Sequence, residues 1–307
     1  MKHYTREIGN RRGEGHEIGS LGVAYAAIGD TRKAIEHYEK ALAIEREIGD
    51  RRAQGSLLGN LGNAYCVLGD TREALEYYEK ALAIGREIGD RRTEGSTLGN
   101  LGIAYKNLGA ARKAIEYYEK QLAIAREIGD RRGEGNALGS LGNAYAALGD
   151  ARKAIEYYER TLIIVREIDN RSGEGNALGS LGNAYAALGD AQKAIECYEQ
   201  TLAIHREIGN RRGESQDLGN LGNAYAALGN VPKAIEYYEE QLAIAREIGD
   251  RRGECTALYN MANQLCNLGR HAEAIPLAEE SLAIHEAIED PWTPKVHALL
   301  AKLKSSS

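Results

Sequence analysis

The sequence predicts an all-α chain: a solenoid of antiparallel helix pairs with a C-terminal capping helix. Three observations predict it. Residues 131–150 and 171–190 are identical except for Arg132 against Ser172, and the chain around them repeats every 40 residues. Each period holds two stretches whose apolar residues recur at helical spacing. Short Gly-Asp punctuation separates the stretches. A repeat array has no single central core, so a length of 307 residues does not here imply two globular domains.

Seven units run without insertion: 11–50, 51–90, 91–130, 131–170, 171–210, 211–250 and 251–290. In the fourth, Leu138, Leu141, Tyr145 and Leu148 line one face of a first helix. Ala154, Ile155, Tyr158, Leu162 and Ile164 give the second helix a wider apolar surface, as a helix buried on two sides needs. Gly129 and Gly149 stand at helix C′ positions, and Asp130 and Asp150 at N-caps. Two-residue linkers make consecutive helices antiparallel. Residues 1–10 match the tail of a second helix (compare residues 245–250), which predicts the remnant of a preceding repeat and a chain cut from a longer array. Pro276 predicts a kink in the last second helix. Asp290-Pro291 reads as an N-cap and N1 pair. Residues 291–307 then form a capping helix, built on Trp292, Val296, Leu299, Leu300 and Leu303, and a short tail.

The net charge of −6 argues against nucleic acid or an anionic membrane as partner. No apolar run is long enough to span a bilayer, and no secretory signal opens the chain. Cys255 and Cys266 are too far apart on one helix for a disulfide. With Cys66 and Cys197 they read as reduced thiols, and the expected location is cytoplasmic.

The pattern Leu138, Leu141-Gly142, Tyr145, Gly149, Ala154, Tyr158 resembles the tetratricopeptide repeat, whose usual unit is about 34 residues. The longer unit and the triplets Leu61-Gly62-Asn63, Leu141-Gly142-Asn143, Leu181-Gly182-Asn183 and Leu221-Gly222-Asn223 resemble its Pins/LGN type. The resemblance covers residues 11–290 and implies a right-handed superhelical solenoid whose concave groove is lined by the first helices, with a protein or linear peptide as partner.

Two registers face that groove. One holds Ser20, Asn60, Asn100, Ser140, Ser180, Asn220 and Asn260; the next holds Val23, Asn63, Ile103, Asn143, Asn183, Asn223 and Asn263. Asparagine is a middling-to-poor helix former, but its amide offers two donors and an acceptor. Such a ladder can grip the backbone of an extended peptide. In the third unit Lys106 and Asn107 replace small residues and join the candidate binding set. The resemblance implies basic residues that select acidic peptides, yet the matching positions hold His16, Ser56, Ser96, Asn136, Asn176, Gln216 and Thr256. The glycines divide the same way. Gly142 is expected to let two helices approach closely, and Gly139 either to do likewise or to leave room for a ligand backbone.

Arginine pairs open most units, such as Arg91-Arg92 and Arg131-Arg132. They either pair with glutamates such as Glu127 or Glu167 in the preceding turn or form a basic ridge for an acidic partner. No P-loop, dinucleotide fingerprint or metal-ligand spacing is present, and His205 and His285 are too far apart to share an ion. Tyr157 and its equivalents are expected mainly to pack. The chain is therefore expected to be no enzyme, to need no cofactor or metal, and to act as an interaction scaffold or adaptor. The alternatives are the sensor arm of a larger signalling protein, such as a signal-transduction ATPase, and a structural array that associates end to end.

Overall fold

The structure, a computed structural model, describes residues 2–305. Met1 and residues 306–307, the outer limits of the expected remnant and tail, lie outside the described residues. The chain forms two compact units, Met1–Asp150 and Ala151–Ser307. The first contains α1 (Lys2–Ala27), α2 (Thr31–Ile48), α3 (Arg51–Leu68), α4 (Thr71–Glu87), α5 (Arg91–Asn107), α6 (Ala111–Glu127) and α7 (Arg131–Ala147). The second contains α8 (Ala151–Glu167), α9 (Arg171–Ala187), α10 (Ala191–Glu207), α11 (Arg211–Ala227), α12 (Val231–Glu247), α13 (Arg251–Asn267), α14 (His271–Ala287) and α15 (Thr293–Ser305). Among the described residues there is no strand. In each unit every helix packs on the next, and alternate helices such as α3 and α5, or α11 and α13, also touch. This is the solenoid of antiparallel helix pairs that the periodicity predicts.

The punctuation works as its chemistry requires. Asp90 caps α5 by accepting from the Thr93 N–H at 3.1 Å, one of the donors a helix start leaves open. Gly69 closes α3 at φ +88, where a side chain would be strained. Asp169 and Glu289 hold the same left-handed place without being glycine.

Glycine inside the first helices serves packing. The Tyr78 ring lies flat on Gly62, so a methyl built there would stand 2.6 Å from Cδ1. Tyr118 covers Gly102, Tyr198 covers Gly182 and Tyr238 covers Gly222 in the same way. Each key closes one hairpin, and the tyrosines are buried among leucines of the adjoining first helices, such as Leu98, Leu101, Leu218 and Leu221. The Gly139 register is mixed. Gly99 and Gly219 are pressed by Gln121 and Gln241, whereas Gly59 faces open space.

The ends differ from expectation in two ways, and Pro276 lies inside α14, which runs from His271 to Ala287. α1 runs unbroken through Gly9 and Asn10, where equivalent pairs elsewhere make the turn. α15 buries Val296, Leu299, Leu300 and Leu303, but Trp292 precedes the helix and stays half exposed. Asp290 accepts from the Trp292 N–H at 2.8 Å and pairs with Arg252 at 3.2 Å, which fixes the turn into α15.

The first arginine of each pair is clamped, and its partners are not those of the preceding turn. Arg91 pairs with Glu94 and with Glu127 on α6, while Arg126 is the side chain that reaches forward, to Glu134 at 2.8 Å. The same clamp recurs as Arg166–Glu174–Arg171–Glu207 and Arg206–Glu214–Arg211–Glu247. Of the second arginines, Arg12, Arg52 and Arg252 reach one repeat on, as Arg52 does to Asp90 at 3.5 Å. Burial pushes the Glu174 carboxyl up, but hydrogen bonds from Arg166 and Arg171 outweigh it and hold it below the ordinary carboxylate range. A depressed folded value gives stability above the unfolded value, near 4.3, that is lost as pH falls through the folded one. Glu174→Gln is expected to cost about 1 kcal/mol at neutral pH, because the arginines are half exposed, and progressively less as pH falls below about 4. Urea unfolding along a falling pH series checks this. Gln54 already stands in the corresponding place, accepting from Arg51 at 2.9 Å.

Candidate functional site

The asparagine registers lie on the first helix of each pair, and the structure ties them to the core tyrosines. Tyr78 donates its hydroxyl proton to Asn63 Oδ1 at 2.7 Å, Tyr198 to Asn183 at 2.8 Å and Tyr238 to Asn223 at 2.8 Å. The neighbouring register adds a second donor: Asn100 Nδ2 lies 3.1 Å from Asn63 Oδ1, and Asn260 Nδ2 lies 3.4 Å from Asn223 Oδ1. The amide oxygens are therefore engaged from below, while Asn63, Asn183 and Asn223 remain exposed. Their Nδ2 groups are what the surface offers. Burial pushes the Tyr198 hydroxyl up to about 12, so it stays a proton donor at neutral pH.

In the first unit Asn60 and Asn100 are half-buried, Asn63 and Asn143 are exposed, and Lys106 and Asn107 are exposed in the last turn of α5. In the second unit Asn183, Asn220, Asn223 and Asn260 converge on one cavity of about 790 Å³, shared by α9, α11 and α13 and floored by α10 and α12. Asn176, Gln216 and Thr256, three of the positions where basic residues are missing, line it as well. Asn263 is half-buried further along α13. The rim carries Arg212 and Arg252.

The floor holds a pair that the sequence reading passed over. His205 Nδ1 lies 2.6 Å from Asp217 Oδ2, and both residues are buried. The ring has room because Gly175 and Gly213 flank it; a methyl on Gly213 would stand 2.5 Å from Nδ1. Burial raises the Asp217 carboxyl to about 6 despite the hydrogen bond from His205. The signal was present in the sequence as a departure from the repeat. The places of His205 and Asp217 are both alanine at Ala125 and Ala137 and again at Ala245 and Ala257.

The remaining chemistry is structural. Tyr77, Tyr117 and Tyr237 stack on Tyr65, Tyr105 and Tyr225 with ring centroids 5.2, 5.2 and 5.4 Å apart, so those faces are covered. Cys197 and Cys255 are buried thiols pushed up to about 11 by desolvation, values at which they are unreactive. No helix among the described residues is long and apolar enough to cross a membrane.

Tyrosine-keyed hairpins with a polar inner register define a helical-repeat scaffold for protein–protein interaction. The sequence profile described as tetratricopeptide repeat matches residues 16–87, 53–127, 93–167, 134–207, 173–247 and 214–287. The chain belongs to the tetratricopeptide repeat family. No curated protein matches it. Among solved structures it is similar to a Signal Transduction ATPase with Numerous Domains (STAND) protein with a tetratricopeptide repeat sensor, from Pyrococcus horikoshii. That match has a TM-score of 0.81 at 22% identity and covers 99% of this chain and 46% of that one. This chain thus spans less than half of that protein. It is also similar to the apo form of RapI (TM-score 0.69, 14% identity, 90% and 99% covered) and to BtubC (BKLC) from P. vanneervenii (0.63, 22%, 72% and 91%). At these identities the likeness is one of fold.

Proposed function

We propose that the chain is an adaptor that holds an extended peptide against α9, α11 and α13 by its asparagine ladder. One observation carries this reading: tyrosine hydroxyls occupy the asparagine oxygens, so the inner register offers N–H donors to a ligand. Adjacent helix layers lie about 10 Å apart. Three residues of an extended chain in the polyproline II conformation make one turn and rise about 9 Å, so every third carbonyl of such a peptide returns to the same face and meets a rung. The partner is a protein segment, recognised through its backbone acceptors.

A second reading makes the array the sensor arm of a larger signalling protein. Its support is the likeness to the STAND protein with a tetratricopeptide repeat sensor, of which this chain covers 46%. The groove would serve either reading.

A random linear-peptide display library tests the binding. Selected peptides are expected to bind the full chain and to lose at least tenfold in affinity to the Asn183→Ala, Asn223→Ala variant, whose fold is checked by circular dichroism. Selection of no peptide, or affinity indifferent to both changes, refutes the proposal.

A further inference from the structure

The floor of the second-unit cavity is unlike its walls. The walls present amide donors, but the floor presents acceptors. Asp217 contributes a carboxylate whose one oxygen is held by His205. Thr201 donates its hydroxyl proton to the Cys197 carbonyl at 2.9 Å, which leaves its oxygen as an acceptor. Gln241 is 6% exposed, lines the same cavity, and its Oε1 has no hydrogen-bond partner among the described residues. A buried acceptor without a donor loses its hydration and gains nothing in return, so a native structure carries few. The Gln241 amide is held against Gly219, where a methyl would stand 2.8 Å from Oε1, and so stays at the floor of the cavity. The fixed cations of the cavity, Arg212 and Arg252, stand at the rim, and Arg252 is already paired with Asp290.

Resting on the peptide reading above, we propose that Asp217, Thr201 and Gln241 form a specificity subsite that takes one cationic side chain, arginine or lysine, of the bound peptide. A guanidinium carries five N–H donors in a planar fork and an ammonium three. Either satisfies several acceptors at once, which a neutral hydroxyl or a single amide N–H does not. His205 is the positioning residue: its bond to one carboxylate oxygen aims the other. Elsewhere in the array the register of Asp217 holds Leu57, Thr97, Ala137, Ala177 and Ala257, so the remaining rungs have no such floor, and Glu17 in the same register is exposed. One charged anchor in an otherwise repetitive groove sets which part of a peptide sits on which repeat.

The test is a set of peptides selected on the full chain from a random heptapeptide library. The expected result is an arginine or lysine at one fixed position. Replacing that arginine by citrulline, which keeps the shape and loses the charge, is expected to weaken binding roughly 10- to 100-fold, as for a charge-assisted hydrogen bond. Asp217→Asn should weaken the arginine peptide by a similar factor and leave the citrulline peptide almost unchanged. A merely structural role for Asp217 would weaken both peptides alike, and that outcome overturns the subsite. Peptides that depend on Asn183 and Asn223 but carry no fixed cation overturn the subsite and leave the groove reading intact. If the library yields no peptide, both fall.

Discussion

Gly222→Ala is expected to destabilise the protein by about 2 kcal/mol, although alanine is the better helix former by roughly 1 kcal/mol. The added methyl would stand 2.6 Å from Tyr238 Cδ1. That ring is 1% exposed and packs among Leu258, Cys255 and Met261, while its hydroxyl is tied to Asn223. It has nowhere to go without lifting α12 from α11. Gly59→Ala provides the opposite sign from the same residue type: nothing lies within 4 Å, so the propensity gain of up to about 1 kcal/mol is kept. Urea unfolding of both variants separates the two cases. Equal effects would mean that the ring adjusts and that the key is not rigid.

The second large effect concerns the floor of the cavity. Replacing both His205 and Asp217 by alanine, the pair found at Ala125 and Ala137, is expected to stabilise the fold at pH 7 by roughly 1–3 kcal/mol. The sign follows from linkage. Burial raises the folded carboxyl to about 6, above its ordinary value, so between about pH 4 and 6 the folded state holds more protons than the unfolded one. The cost of Asp217 is absent at acid pH, grows as pH rises, and levels off above about 6. The gain from the double change should therefore be large at pH 7 and small at pH 4. Asp217→Ala alone gains less, because it strands the His205 ring beneath the groove. Stability that rises while peptide binding falls is the signature of a residue retained for recognition rather than for folding. A double variant less stable at pH 7 than at pH 4, each relative to the parent, contradicts this account.

The helix pairs were legible because they rest on local chemistry. Leu138, Leu141 and Tyr145 announce a helix face by spacing alone, and Gly149-Asp150 announces where it stops. The family likeness then placed Asn183 and Asn223 on the inner register. What could not be read was where their oxygens point, since the tyrosine that holds each one lies 15 residues away on another helix. The arginine clamps were misassigned for a related reason. Arg91 meets Glu127, 36 residues on, and a search confined to the preceding turn cannot find it. The His205–Asp217 pair was hidden by the repeat itself. Attention to what recurs in the units passes over a junction where two places change together.

Two kinds of joint follow from the clamps and the keys. Within a hairpin, glycine and tyrosine meet by shape; between hairpins, Arg86 to Glu94 and Arg246 to Glu254 add charge to the apolar contact. Linear arrays behave as nearest-neighbour chains, in which the stability of each member and its coupling to the next are separate quantities. Salt screens the half-exposed arginines and leaves the shape fit untouched. Ionic strength therefore acts on the coupling alone: with more salt the cooperative length shortens, and neighbouring hairpins in a unit come closer to opening one at a time. A groove built from several consecutive rungs inherits that dependence, because an extended ligand needs the rungs aligned together.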